Sequence, residues 1–491
     1  MVMVTLPTGQ DSARTEEQQS GGSRDATSVS ITVIGGGYVG LVTSACLAQL
    51  GHRVVCLEVD DRKVQQLEKM RMPIDEPWLP ELWKQNVAAG RLRVTGSYPK
   101  ALESCEVIFI AVGTPSAKDG SADLQYVESA VRTAARMDSP ARVICMKSTV
   151  PPGTCARLQD ELERNPFQVK DWAVVSNPEF LSQGSAVTDF MQPDRLVIGT
   201  DDRPARELVR SLYAGLDAPV VYASSTEAEL IKYASNSFLA LKISFINEIS
   251  HLCEYSGADV GPVANGVGLD RRIGPSFLQA GLGWGGSCFP KDTAALASFM
   301  RRNGLNPVVV QAARDVNNQQ IDWVMGRLRE LLGASGARSV AVWGLTFKPG
   351  TDDIRGSQSV PLIRALINEG YSVTAHDPAR PQLSEDLRER ITVAKTPEEA
   401  AQNADALILA TEWPLYLKLD FESVRDKMAT PLILDTRRAL KPETLSSLGF
   451  EYYRLGDGRS VPARLKNNSR SPLRALPAHP LATSYRRQVA A

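Results

Sequence analysis

The stretch GWGGSCFPKD, residues 283–292, joins a glycine-rich turn to one thiol and two charged side chains. Glycines let the backbone approach a bound molecule closely, and a cysteine in such a loop becomes a nucleophile when it ionises. The positive charge of Lys291 or Lys232 would favour the thiolate of Cys288. The other six cysteines fall in strand or helix patterns that indicate inert core residues. The sequence therefore predicts that Cys288 is a nucleophile.

Two polar side chains, Lys232 and Asn236, stand four residues apart in a predicted helix and so project from one face. Their neighbours are apolar, and a buried ammonium is costly without a partner. One interpretation is an oxyanion site, in which two donors stabilise developing negative charge. The other is a surface lysine whose stem covers apolar residues. These residues alone leave both interpretations open.

A dinucleotide site is indicated by ITVIGGGYVG, in which Gly35, Gly37 and Gly40 form GxGxxG between a strand and a helix. The glycines allow a tight turn and close approach to a pyrophosphate, which the helix N-terminus attracts. The next strand ends at Glu58, where such folds place the acid that binds the adenosine ribose. A carboxylate there repels a 2′-phosphate, so NAD is predicted rather than NADP. Lys63 either faces the adenosine or is a solvated helix residue.

A second ligand loop is indicated by WGLTFKPGTDDIRGSQS, which follows a strand but lacks the glycine fingerprint. Lys348 and Arg355 place cationic donors in this strand-to-helix loop, where open parallel sheets bind ligands. Arginine is a good bidentate partner for phosphate. The two charges either hold a nucleotide phosphate or belong to a flexible surface loop.

The elements that must position these residues follow a strand-and-helix rhythm in two blocks, which is typical of parallel α/β sheets. Between the blocks, more than thirty residues without proline predict one long helix, apolar almost all round and so buried between domains or subunits. We expect two Rossmann-like, doubly wound parallel-sheet domains joined by this central helix. The expected segments are a disordered tail at 1–28, an NAD-binding domain at 29–221, a helical domain carrying the cysteine at 222–335, a second Rossmann-like domain at 336–460 and a disordered tail at 461–491.

Composition restricts the partners and the compartment. The net charge of −1 over 491 residues provides no field that would attract nucleic acid or acidic lipid, so the partner should be a small molecule. Seven scattered cysteines without a CxxC pair suggest neither a metal site nor a disulfide framework, and fit a reducing cytosol. The N-terminus does not resemble a secretory signal, and no apolar run reaches membrane-spanning length. We expect a soluble, cytoplasmic protein.

Ten stretches, in order between about residues 30 and 455, closely resemble the UDP-glucose 6-dehydrogenases of the nucleotide-sugar dehydrogenase family. They are GGGYVGL, VGTPS…DGSADL, KSTVPPGT, SNPEFL, PDRLVIG, EAELIKYASNSFLALKISFINEI, DRRIGPSFL, GGSCFPKD, FKPGTDDIR and DTRRAL. The resemblance implies oxidation of a primary alcohol to a carboxylate by removal of two hydrides. A thiol is needed in the second oxidation, because the aldehyde must become a hemithioacetal and then a thioester that water hydrolyses. Cys288 would be that thiol.

The resemblance also implies roles for individual residues. Lys232 and Asn236 would stabilise the oxyanion, Asp292 would assist proton transfer, and Glu179 and Thr149 would lie near the water. The implied catalytic set is Cys288, Lys232, Asn236, Asp292, Glu179 and Thr149. The expected cofactor contacts are Gly35, Gly37, Tyr38, Val39, Gly40, Glu58, Lys63, Thr114, Thr149, Lys291 and Arg355. The implied substrate contacts are Glu179, Phe180, Leu181, Lys232, Asn236, Arg272, Phe277, Gly281, Gly285, Phe347, Lys348 and Arg438.

Further implications concern assembly and substrate. Arg272 would reach into a neighbouring subunit's site, which implies at least a homodimer built on the long helix. The second Rossmann-like domain would bind the UDP-sugar, with dTDP-glucose or GDP-mannose as the alternative substrates. A catalytically silent sugar-nucleotide binding protein is the alternative from another class. The chain departs from the family at Gln183, where the family usually has a glutamate, so one active-site carboxylate is missing.

Overall fold

The computed structural model describes residues 28–164, 171–333, 336 and 338–459. Apart from Ser28, the two predicted tails, 1–28 and 461–491, lie outside the described residues. Within the described residues, no helix is long and apolar enough to cross a membrane.

The first sheet has eight strands in the order β3-β2-β1-β4-β5-β6-β7-β8. Its strands are β1 Ser30–Ile34, β2 Arg53–Leu57, β3 Leu92–Thr95, β4 Val107–Ile110, β5 Val143–Met146, β6 Ala173–Ser176, β7 Leu196–Gly199 and β8 Val220–Ala223. The helices around it are α1 Tyr38–Gln49, α2 Asp61–Glu68, α3 Leu79–Ala88, α4 Tyr98–Leu102, α5 Gln125–Arg136, α6 Thr154–Glu163, α7 Ala186–Met191 and α8 Arg203–Ser211. Strands such as β4, VIFI, are buried throughout, because helices cover both faces of the sheet.

One strand pair departs from the expected parallel sheet. Strand β7 runs antiparallel to β6 and pairs with it only at Ser176 and Gly199, whereas β7 and β8 are parallel. The six-residue helix α7 links β6 to β7, and an antiparallel neighbour does not need a full crossover connection. The loop that leaves β6 is thereby held beside the carboxyl edge of the sheet.

The central segment contains α9 Ser225–Ser256, α10 Val260–Gly268, α11 Phe289–Arg302 and α12 Val308–Leu332. A capping box between Ser224 and Glu227 begins α9, and Gly257 ends it with a left-handed φ of 74°. The helix packs against α11, α12 and the first sheet. It is therefore only partly buried within the chain, and large apolar side chains remain exposed along its other face: Leu230, Phe238, Phe245, Leu252 and Tyr255.

The second sheet has six strands in the order β11-β10-β9-β12-β13-β14, all parallel. Its strands are β9 Ser339–Trp343, β10 Ser372–His376, β11 Thr392–Val393, β12 Ala406–Leu409, β13 Leu432–Asp435 and β14 Glu451–Arg454. Its helices are α13 Ser359–Asn368, α14 Glu385–Arg388, α15 Pro397–Ala400, α16 Phe421–Lys427 and α17 Pro442–Ser447, with a 3-10 turn at Tyr416–Lys418. The predicted fold class, two α/β sheets joined by a long central helix, is confirmed.

Candidate active site

A cavity of about 860 Å³ lies between the β6 edge of the first sheet, α9 and the loop before α11. Its size is within the range of small-molecule sites. Cys288, Lys232, Asn236 and Glu179 all line it, although they come from three separate parts of the chain. Four of the six predicted catalytic residues thus lie together at one cavity.

The loop that carries Cys288 is fixed by side chains of α12 and of the N-cap residue of α13. The backbone N–H of Trp284 donates to Asn317 Oδ1 at 2.7 Å, and its carbonyl accepts from Asn317 and Gln358. A Cβ on Gly285 would lie 2.0 Å from the carbonyl oxygen of Gly356 in the second α/β domain, so this position has no room for a side chain. The glycine loop is therefore packed backbone to backbone against that domain.

A buried ion pair faces the cysteine. Lys232 Nζ lies 3.0 Å from Glu179 Oε1, and the side chains are 4 % and 7 % exposed. Burial alone would lower the pKa of Lys232, but Glu179 and the groups of Cys288 and Asp292 together raise it. Burial alone would raise the pKa of Glu179, but Lys232 and a hydrogen bond from the Leu181 N–H hold it below the usual range. Both groups are therefore charged at neutral pH.

A second carboxylate, that of Asp292, is 1 % exposed and hydrogen-bonded on both oxygens. Asn236 Nδ2 donates to Oδ2 at 2.6 Å, and Lys291 Nζ lies 2.5 Å from Oδ1. The contact with Asn236 explains a polar amide on the inner face of α9. Lys291, predicted to contact the cofactor, is thus paired with its neighbour in the first turn of α11.

The thiol of Cys288 stands at the N-cap of α11 and is part-buried. Burial raises its pKa most, and Glu179 and Asp292 raise it further. Lys232 and Lys291 lower it, as the sequence suggests, but the net pKa lies above the ordinary value. The cationic neighbours therefore do not by themselves ionise the thiol.

The glycine turn after β1 has the shape of a dinucleotide cradle. Gly35 has a left-handed φ of 114°, and a Cβ there would lie 2.5 Å from the Ala111 carbonyl. A Cβ on Gly40 would lie 1.8 Å from the Gly35 carbonyl, so both glycines are needed for packing. A Cβ on Gly37 would meet no described atom within 4 Å, which leaves room for a phosphate at the start of α1. These residues fit a pyrophosphate-containing cofactor.

The remaining cofactor predictions fall around the same sheet edge. Glu58, at the end of β2, accepts from the Gly36 N–H at 3.1 Å, and Lys63 lies 3.6 Å from its carboxylate. Thr114 and Thr149 lie in the loops after β4 and β5. Two residues of the first turn of α1, Tyr38 and Val39, line the cavity.

Most predicted substrate residues line the cavity: Glu179, Phe180, Leu181, Lys232, Asn236, Phe277, Gly285, Phe347 and Lys348. Three do not. Arg438 donates to Asp259 and to the Leu455 carbonyl. Arg272 is exposed and paired with Asp270. Gly281 lies in the buried loop, where its N–H donates to Asn247 and its carbonyl accepts from Gln320.

The residues after NPEFL contact the second α/β domain. Gln183 donates through Nε2 to Asp353 Oδ2 at 3.0 Å, and Arg355 pairs with the same carboxylate. Lys348 donates to the Gln183 carbonyl and to Ser182. The Gln183 amide, at the position where the resemblance implies a carboxylate, thus contacts a carboxylate of the opposite domain.

Sequence reasoning missed a buried lysine at the rear of the cavity. Lys147, 4 % exposed, donates to Asn177 Oδ1 at 2.8 Å and to the Tyr213 hydroxyl at 3.0 Å, and burial lowers its pKa to about 8. Asn177 begins the loop that carries Glu179. A lysine at the end of the apolar run RVICMKS was the available signal, because apolar strands seldom contain one.

A missed arginine supports the same loop from outside. The Arg195 guanidinium lies 3.7 Å from the centre of the Phe180 ring, whose other cationic neighbour is Lys232 at 5.3 Å. These cation–π contacts fix the orientation of Phe180 at the cavity wall. Arg195 belongs to the stretch PDRLVIG, in which no spacing or pattern marked the charged residues as part of a site.

Three sequence-family models match consecutive parts of the chain. They describe the UDP-glucose/GDP-mannose dehydrogenase family: the NAD binding domain matches residues 29–217, the central domain 226–319 and the UDP binding domain 341–442. Two curated relatives are UDP-glucose 6-dehydrogenases. That of Rhizobium meliloti is 45 % identical and covers 87 % of this chain and 99 % of its own. That of Pseudomonas aeruginosa is 42 % identical and covers 88 % and 98 %.

Two solved structures have similar folds. A UDP-glucose dehydrogenase from Pyrobaculum islandicum is 40 % identical, with a TM-score of 0.77, and the match covers 86 % of this chain and 98 % of that one. A UDP-D-ManNAc dehydrogenase from Pyrococcus horikoshii is 27 % identical, with a TM-score of 0.78 and coverage of 88 % and 100 %.

Proposed function

The chain belongs to the UDP-glucose/GDP-mannose dehydrogenase family and is an NAD-dependent nucleotide-sugar dehydrogenase, and we propose that its reaction is the four-electron oxidation of UDP-glucose to UDP-glucuronate. The observation that carries the proposal is the cavity in which the Cys288 thiol faces the buried pair of Lys232 and Glu179. The names of the relatives support UDP-glucose as the sugar nucleotide.

In the first oxidation, the C6 hydroxyl of the sugar lies near Lys232 and Asn236. NAD, when bound, accepts the hydride in each of the two oxidations. Negative charge develops on the alcohol oxygen as its proton passes to solvent, and the ammonium and amide stabilise that charge until hydride loss gives the neutral aldehyde. Lys232 is held in place by Glu179, so its donors need little reorganisation.

In the second oxidation, the sulfur of Cys288 adds to the aldehyde carbon. As the carbon–sulfur bond forms, the carbonyl π bond breaks and its oxygen takes up a proton in place of the one that the thiol loses. The resulting hemithioacetal can then lose a second hydride, together with its hydroxyl proton, to become a thioester. Placement at the N-cap of α11 favours the developing thiolate, although burial opposes it. Hydride removal from the alcohol itself would not require this residue.

Hydrolysis of the thioester returns the free thiol and yields the carboxylate. We assign Asp292 to proton transfer, since its carboxylate is fixed by Asn236 and Lys291. Glu179 and Thr149 would position the attacking water, which adds its oxygen to the carbonyl carbon. The Cys288 sulfur leaves with the electron pair of the broken bond and takes up a proton.

The exposed face of α9 supports a homodimer. Phe238, Phe245 and Leu252 recur every seven residues along it and are 62 %, 48 % and 59 % exposed in the single chain. A helix face of this kind is usually covered in the assembled protein. Arg272 would then be available to the partner's substrate, as the family resemblance implies.

The test is the yield of NADH from a panel of nucleotide sugars. UDP-glucose should give two NADH per sugar, with UDP-glucuronate as the product. dTDP-glucose and GDP-mannose at equal concentration should react at least about tenfold more slowly in kcat/KM. Faster oxidation of either one would overturn the substrate assignment, and a yield of one NADH would overturn the four-electron reaction.

A further inference from the structure

Residues 182–186, here named the bridging segment, lie between the two α/β domains. On the side of the first domain, the buried carboxylate of Glu76 accepts from the Gly184 N–H at 2.6 Å and the Ala186 N–H at 2.7 Å. The Tyr38 hydroxyl donates to the same carboxylate. Tyr38 belongs to the first turn of α1, beside the cofactor cradle. One carboxylate thus ties the bridging segment to the cofactor site.

The other side of the bridging segment contacts the loop after β9. Gln183 Nε2 donates to Asp353 Oδ2 at 3.0 Å, while the ammonium of Lys348 donates to the Gln183 carbonyl and, at 3.2 Å, to Ser182 Oγ. Asp353 in turn holds the Arg355 guanidinium through bonds of 2.9 and 2.7 Å. Hydrogen bonds, joined through the backbone of the bridging segment, therefore connect Tyr38 in one domain to Arg355 in the other.

The side chain of residue 183 decides whether Asp353 takes part in this connection, since Lys348 contacts the backbone of residue 183 and the side chain of Ser182. Burial raises the pKa of Asp353, but the hydrogen bonds from Arg355 and Gln183 lower it below the usual value. An ionised carboxylate accepts hydrogen bonds and cannot donate one, so its partner must be a donor. The Gln183 amide meets this requirement, whereas a second carboxylate at about 3 Å would be repelled.

We propose that Gln183 is a positioning residue that couples the two ligand sites through the bridging segment. A ligand beside Tyr38 fixes the segment through Glu76, and the fixed segment places Lys348 and Arg355 for the nucleotide phosphates. Once one ligand has ordered the bridging segment, binding of the second ligand no longer carries that entropic cost. Each ligand therefore tightens the binding of the other. This proposal depends on the proposed function only in the identity of the two ligands.

The first measurement is the Kd of NADH with and without saturating UDP, followed by fluorescence in the whole protein without turnover. In the unaltered protein, UDP should tighten NADH binding by about fivefold or more. Gln183→Leu keeps the side-chain bulk but removes the donor, so the ratio of the two Kd values should fall to near one. Gln85→Leu, at an exposed residue of α3, is the matched control and should keep the full ratio.

Charge variants distinguish the contact from simple loss of packing. Gln183→Glu should abolish coupling at pH 8 and recover part of it as acidification protonates the pair of carboxylates. Gln183→Glu combined with Asp353→Asn restores a donor opposite an acceptor and should recover coupling at pH 8. Coupling that persists in Gln183→Leu and Gln183→Glu, or is missing from the unaltered protein, overturns the proposal.

Hydrogen exchange separates this proposal from the proposed function. Without ligands, Gln183→Leu should speed amide exchange in residues 182–186 and 347–355 but not in the Gln85→Leu control. NADH alone should slow exchange in 347–355 of the unaltered protein and have little effect in Gln183→Leu. Unchanged exchange in both comparisons contradicts the bridge even if UDP-glucose is oxidised. Failure of UDP to bind, with these exchange changes intact, contradicts only the substrate assignment.

Discussion

Lys232 Nζ lies 3.0 Å from Glu179 Oε1, and neither side chain is more than 7 % exposed. The pair joins the central helix to the loop after β6, so the chemistry and the packing of the domains depend on the same contact. Breaking a buried pair by removing one partner is far more costly than removing both. This asymmetry provides the first prediction.

Lys232→Met should lower kcat by at least about a hundredfold, because one oxyanion donor is lost. It should also lower the free energy of unfolding by about 3–5 kcal/mol, since Glu179 keeps a buried charge without a partner. Adding Glu179→Gln should recover most of the stability but none of the activity. Urea unfolding and initial rates measure the two effects. Equal stability of the single and double variants would show that the pair is not energetically coupled.

The pH dependence of this pair has a defined direction. The pKa of Glu179 is lowered, so its contribution to stability is present above the pKa of the unfolded chain and is lost as pH falls through the folded value. The pKa of Lys232 is raised, so its contribution is lost only when pH rises through the folded value, above 10.5. The double variant should therefore lose less stability on acidification below pH 4.5 than the unaltered protein.

Cys288→Ser should separate the two oxidations. A hydroxyl is hardly ionised near neutral pH, so the aldehyde cannot be captured efficiently. Binding of NADH and UDP should remain within a few fold, while the reaction stops after one NADH or traps a covalent sugar adduct visible by intact-protein mass spectrometry. Cys253→Ser, at a buried cysteine outside the cavity, serves as the control. Two NADH per sugar from Cys288→Ser would exclude the covalent route.

Glu58→Gln should reduce the preference for NAD over NADP by about tenfold or more in kcat/KM, because it removes a negative charge that repels a 2′-phosphate. Glutamine keeps the size of the side chain. Lys63→Gln alters the neighbouring charge, 3.6 Å from the Glu58 carboxylate, and should leave NAD preferred. An unchanged ratio in Glu58→Gln would mean that the ribose is recognised by other groups.

Lys147→Met should stabilise the protein at pH 7, by about 3 kcal/mol at most, since burial lowers the pKa of Lys147 from 10.5 to about 8. The unfolded chain binds more protons between those values, so the contribution of Lys147 to stability rises with pH across that window. Tyr213 still donates to Asn177 Oδ1 at 2.5 Å, so this buried acceptor keeps a hydrogen bond when Lys147 is replaced. Urea unfolding at pH 7 and pH 9 should show a smaller pH effect in Lys147→Met than in the exposed control Lys84→Met.

Phe245→Glu should convert a homodimer into monomers in sedimentation at micromolar concentration, because a charge replaces an apolar side chain on the exposed face of α9. Activity should fall with the dimer if Arg272 acts in the partner's site. Tyr126→Glu, at an exposed aromatic residue of α5, should leave the sedimentation coefficient unchanged. Unaltered sedimentation of Phe245→Glu would exclude this face as the interface.

The alternation of strands and helices predicted the centre of each sheet better than its edges. The runs SITVI, RVVCL and VIFI are β1, β2 and β4, whose apolar content follows from burial on both faces. The four edge strands β3, β8, β11 and β14 were not predicted, because they are short, of two to four residues, with polar or exposed side chains. The inner strand β7, LVIG, is buried throughout and was not predicted either. Edge strands need fewer apolar residues, so composition marks them weakly.

Within the site, spacing in sequence predicted which side chains share one face of a helix. It did not predict which residues of other elements those side chains contact. The four-residue interval between Lys232 and Asn236 places both on one face of α9. The partners Glu179 and Asp292 lie 53 and 56 residues away in sequence, so only the packing of β6 and α11 on α9 selects them. The raised pKa of Cys288 likewise depends on burial, which its neighbours in sequence do not specify.

The cysteines differ in their access to solvent, so the number of thiols that react with a reagent reports whether a chain is folded. Six are buried, and only Cys288 is part-buried and lines a cavity. A small alkylating reagent therefore meets one thiol in each folded chain and seven in each unfolded chain. The mass added by a brief exposure then reports, molecule by molecule, whether a chain holds an intact site, and bound UDP-glucose should delay the first addition without changing the other six.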